Sequence, residues 1–68
     1  MENYYVNNHQ QSNGDYEVHT STCRYLPTDK TYLGLFLNCR DALQKARSMF
    51  PYRKIDGCYY CSNACHTS

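Results

Sequence analysis

Three of the five cysteines and one of the three histidines stand in the nine residues Cys58–His66, within the terminal run "DGCYYCSNACHTS". Cys58-x-x-Cys61 has the ligand spacing of a zinc knuckle, in which a short turn aims two thiolates at one point. A closed tetrahedral site needs a second pair, best drawn from far away in the chain so that the metal ties both ends together. "HTSTC", His19-x-x-x-Cys23, supplies it. His19, Cys23, Cys58 and Cys61 then form a Cys₃His set of the kind Zn²⁺ takes, with one zinc per chain. Three thiolates and one divalent cation bring the formal charge from +1 to zero.

Cys65 and His66 compete for the same role, either as alternative ligands or as neighbours behind the ligands. A set built only from Cys58, Cys61, Cys65 and His66 would leave "HTSTC" without a purpose, and adjacent residues rarely point at one metal. Cys39 falls on the apolar face of a helix and reads as a buried thiol acting as a small hydrophobe. His9 lies in a polar loop and reads as solvated.

The elements that must position these ligands are short. "NYYVN" is aromatic and β-branched, a strand; Asn13-Gly14 offers the positive φ of a hairpin turn; and "YEVH" alternates, Tyr16 and Val18 on one face, Glu17 and His19 on the other. "TYLGLFL" reads as a buried strand with Gly34 at a bulge or close approach. "NCRDALQKARSMF" is a helix: Asn38 caps it, Asp41 favours its first turn, and Cys39, Ala42, Leu43, Ala46, Met49 and Phe50 make its apolar face. Pro51 stops it, and Asp56-Gly57 reads as a turn into the cysteine cluster. The expected fold is α+β: one domain over residues 1–68, a small zinc-stabilised unit with a short antiparallel sheet, one main helix and the C-terminal Cys-x-x-Cys knuckle.

At 68 residues the chain buries only about 60% of its unfolded surface, so its core alone is marginal and a cross-link is expected. The mean hydropathy is −0.81, Trp is absent, and eight tyrosines carry much of the bulky apolar material. The opening residues lack the basic and apolar regions of a secretory signal, and no apolar run is long enough for a bilayer. The expected location is therefore the cytoplasm, without membrane contact, where thiols stay reduced. An odd cysteine count also puts a disulfide framework second to a metal.

"YEVHTSTCRYLP", a strand, a capped helix carrying "DALQKAR" and then "CYYC" together resemble the Ada-type metal-binding domain, over Tyr16 to Cys61. The pattern is similar to variants attached to bacterial nuclease-like proteins. The whole chain also resembles short uncharacterised bacterial zinc-binding proteins. The resemblance implies a small α/β scaffold whose C-x-x-x-C and C-x-x-C ligands fall on His19, Cys23, Cys58 and Cys61. Two departures qualify it. His19 stands where the family has the cysteine that accepts a methyl group from a DNA phosphotriester, and the gap from Cys23 to Cys58 is long for that domain.

No paired carboxylates, phosphate-binding glycine loop or nucleophile–base pair occurs, and four protein ligands leave zinc no open position for water. The expected function is a non-enzymatic, monomeric zinc module that binds a macromolecule, nucleic acid or protein. With a net charge of only +1, nucleic acid would be bound weakly, through Arg40, Gln44, Arg47, Arg53 and Lys54, with tyrosines stacking on bases. The alternatives are a zinc-thiolate alkyl acceptor and a thiol redox protein using Cys58 and Cys61.

Overall fold

The computed structural model describes residues 1–67. Four strands, β1 (Glu2–Asn7), β2 (Asp15–Thr20), β3 (Lys30–Phe36) and β4 (Lys54–Gly57), form one sheet in the order β3-β1-β2-β4. One helix, α1 (Cys39–Met49), packs against it, and a single 3₁₀ turn, Asn63–Cys65, follows β4. The fold is α+β, as the sequence pattern leads one to expect. β1 pairs antiparallel with β2 and with β3, whereas β2 and β4 run parallel, so the sheet is mixed.

Alternation along the strands sets the two faces of the sheet. Tyr4, Val6, Val18, Leu33 and Ile55 point to one side and are buried against Cys39, Ala42, Leu43 and Ala46 of α1. The helix begins where Asn38 accepts the Asp41 N–H through Oδ1 at 3.0 Å, and its last cap bond runs from the Phe50 N–H to the Ala46 carbonyl. Phe50 packs at the core's margin, but Met49, expected on the apolar face, is exposed. The alanines let the helix sit close to the sheet, at the cost of a small core that needs reinforcement.

Two glycines bear out their expected roles. Gly14 turns the β1–β2 hairpin with φ +95°, and Gly34, φ +132°, lies beside the bulge that places Tyr32 opposite Tyr5 and Gly34 opposite Tyr4. Asp56-Gly57 corrects the expected turn: both residues belong to β4, paired with Glu17 and Val18. Gly57 is needed for space, because a Cβ there would lie 2.7 Å from the Ser62 carbonyl oxygen and 2.9 Å from Cys65 Cβ.

A second correction concerns Cys39 and Cys65, which are joined in a disulfide across Cα atoms 6.2 Å apart. Cys39 is therefore no free apolar thiol, and Cys65 has no thiolate to offer a metal. Packing is the reason: the close pass over Gly57 brings the 3₁₀ turn against the first turn of α1. Among the described residues no helix is long and apolar enough to cross a membrane.

Candidate metal centre

Parallel pairing builds this site. Because β2 and β4 are adjacent and run the same way, their C-terminal ends emerge side by side, and the Cys58 N–H extends the ladder by bonding the Val18 carbonyl at 3.0 Å. β2 delivers His19, and the turn beyond it, closed by the Cys23 N–H on the Thr20 carbonyl, delivers Cys23. The end of β4 delivers Cys58, and the turn closed by the Ser62 N–H on the Cys58 carbonyl brings Cys61 back to the same point.

One ligand atom from each of His19, Cys23, Cys58 and Cys61 lies within 4.8 Å of all the others. The shorter separations test the fit more sharply. Cys23 Sγ and Cys58 Sγ are 3.9 Å apart, and Cys61 Sγ is 3.8 Å from His19 Nδ1. A tetrahedron with metal–sulfur bonds of about 2.3 Å has S···S edges of about 3.8 Å. These four residues can therefore hold a metal ion.

The electrostatics suit a cation. Burial lowers the pKa of His19, keeping the imidazole neutral as a ligand must be. Burial, followed by hydrogen bonding with Cys61, pushes the Cys23 thiol up to about 12, and burial also raises Cys58. At Cys61 burial works upward too, but hydrogen bonds from Cys23, the Thr20 N–H, Cys58 and Ser62 outweigh it and lower the pKa. Cys61 is thus the thiol that ionises most easily of the three, and Cys23 and Cys58 need a cation to replace their protons.

His66 lies outside the quartet. Its Nδ1 donates to the Gly57 carbonyl at 2.9 Å and is 3.2 Å from Asp56 Oδ2, while the backbone N–H and hydroxyl of Thr67 bond Asp56 Oδ1. It fastens the last residues to β4. The residue that sequence reasoning missed is Glu17, whose Oε1 lies 3.6 Å from His19 Nε2. Its signal was available, since residues two apart on a strand share a face.

The expected nucleic-acid residues are divided. Arg40, Gln44 and Arg47 are exposed on α1. Arg53 is occupied: its guanidinium sits 3.9 Å from the Phe50 ring centroid and 4.7 Å from that of Tyr16, with Nη1 3.4 Å from Asn8 Oδ1. Lys54 reaches toward Asp15 at 3.7 Å while remaining largely exposed. Around the metal-site turns, Tyr25, Tyr59 and Tyr60 are exposed, and Tyr25 and Tyr60 pack with centroids 4.5 Å apart. None of the family models, curated proteins or solved structures compared with the chain matches it.

Proposed function

We propose that the protein is a non-enzymatic module in which one structural Zn²⁺, held by His19, Cys23, Cys58 and Cys61, fixes a small surface for a macromolecular partner. The observation that carries the reading is the convergence of four buried or half-buried ligand atoms from two chain segments. Three cysteine sulfurs and an imidazole, with the Cys23–Cys58 separation close to a tetrahedral edge, favour zinc over the hard cations that select oxygen. A bound zinc would supply the cross-link that ties β2 to the terminal knuckle, and its binding energy would serve as folding energy. With all four positions filled by protein, no site remains for an activated water, which supports a structural role.

The likeness to the Ada domain enters this proposal as a scaffold with the same spacing within each ligand pair. His19 replaces the thiolate that would accept an alkyl group, so the proposal leaves that chemistry aside. For the partner, the exposed Arg40, Gln44 and Arg47 with Lys54 offer a contact for phosphates, and the exposed tyrosines offer faces for bases. Such binding would be weak, with a log–log salt slope of roughly three.

Native mass spectrometry of the full chain purified without chelator tests the reading. One zinc per monomer supports it; a metal-free chain, or a different metal, overturns it. Titration with single- and double-stranded DNA at low salt then separates the partners. Chemical-shift changes confined to α1 and the knuckle support nucleic acid, and no change assigns the surface to protein.

A further inference from the structure

The Cys39–Cys65 disulfide lies outside the quartet and plays no part in the proposed metal site. Its two halves differ. Cys39 is the first residue of α1, directly after the Asn38 cap, and is buried; Cys65 ends the 3₁₀ turn and is half-buried. Both line a cleft of about 290 Å³, together with Asn38, Arg40 and Ala64. The disulfide thus lines a cleft of its own, instead of being sealed inside the core. The volume is at the lower end of the range for small-molecule sites and is too small for a folded protein element.

We propose that this cleft is a thiol–disulfide exchange site for a low-molecular-weight thiol of the glutathione class, with Cys65 as the sulfur attacked. The incoming thiolate RS⁻ forms a bond to Cys65 Sγ, the Cys65–Cys39 bond breaks, and its electron pair leaves on Cys39 as a thiolate. The products are a mixed disulfide, RS–S–Cys65, and a free Cys39. A second RS⁻ then attacks the mixed disulfide, releasing RSSR and reducing Cys65. The external thiol is the only reductant required.

Two observations assign the direction. The attacked sulfur must be reachable, and Cys65 is the more exposed of the pair. The departing sulfur should be the one whose negative charge is better placed, and Cys39 stands at the N-terminus of α1, where the helix favours an anion. The alternative, attack on Cys39, would need entry at the buried half and would expel the sulfur that lacks a helix terminus. The inference does not depend on the identity of the metal.

The full chain, as purified with its metal, is exposed to reduced glutathione, quenched in acid to protonate thiolates, digested and read by mass spectrometry. The series is repeated at urea concentrations below the unfolding transition. The expected result is glutathione on Cys65, a free Cys39, and a rate that stays flat across the urea series. Glutathione on Cys39, an equal mixture of the two adducts, or a rate that climbs with urea as the unfolded fraction does would overturn the proposal. So would a disulfide that stays intact until the chain unfolds.

Discussion

Glu17 Oε1 lies 3.6 Å from Nε2 of His19, while Nδ1 of the same ring faces Cys61 at 3.8 Å. The two ring nitrogens thus have separate partners, a sulfur of the quartet and a carboxylate. Histidines that hold metals commonly give their second nitrogen to such an acceptor, which fixes the tautomer and the ring's orientation. Burial raises the Glu17 pKa, an effect that the nearby His66 opposes. We predict that Glu17→Gln leaves the fold intact but weakens metal binding by about 10- to 100-fold. Competition against a chromophoric chelator measures this; an unchanged affinity would remove Glu17 from the site.

Metal affinity should rise with pH. Without metal, Cys23, pushed up to about 12, and Cys58, also raised, hold their protons at neutral pH, whereas Cys61 is lowered. Binding must displace those protons, so the metal-bound form carries fewer of them and higher pH favours it. The protons of Cys23 and Cys58 alone give an increase of at least about two in log K per pH unit between neutrality and the free-thiol range. Calorimetry in buffers of different ionisation enthalpy counts the protons directly, and release of none would contradict the assignment.

The cysteines should fall into two classes. Cys23→Ser or Cys58→Ser is expected to abolish metal binding and unfold the chain. Replacing Cys39 and Cys65 together by alanine should keep one metal per chain. That double variant removes a link between residues 26 apart, a loss of about 3.5 kcal/mol in the chain-entropy account. Urea unfolding alongside metal analysis distinguishes the classes. Loss of metal in the double variant would place one of these two sulfurs at the site.

Gly57→Ala should destabilise the protein although Gly57 has no positive φ. The added methyl would meet the Ser62 carbonyl at 2.7 Å and Cys65 Cβ at 2.9 Å, and the first of these is backbone that cannot swing aside. Overpacking of this kind costs about 1–3 kcal/mol. A urea midpoint equal to that of the parent chain would show that the 3₁₀ turn does not pass so close.

What could be read from the sequence was what is local. The Asn38 cap, the small-residue face of α1, the Gly14 turn and the Gly34 bulge each depend on a few neighbouring residues, and each stands in the fold. The convergence of His19, Cys23, Cys58 and Cys61 was legible because ligand spacing is local within each pair, and one small unit left few ways to join the pairs. β4 was not legible. "KIDG" is four residues long and ends in a turn dipeptide, and its parallel partner β2 lies far back in the chain, beyond β3 and α1. The Cys39–Cys65 link was hidden for a related reason, since disulfide connectivity follows tertiary packing and cannot be deduced from spacing alone. Arg53 looked like a free cation, yet its guanidinium lies between Phe50 and Tyr16, rings that are distant in sequence from each other.

The central claim is that metal held by His19, Cys23, Cys58 and Cys61 completes the fold. Its most direct test is a ¹H–¹⁵N correlation spectrum recorded before and after chelation, under non-reducing conditions that preserve the Cys39–Cys65 disulfide. Chelation should collapse the amide dispersion, and one equivalent of Zn²⁺ should restore it. A metal-free chain that keeps the native spectrum, with the disulfide intact, would contradict the claim.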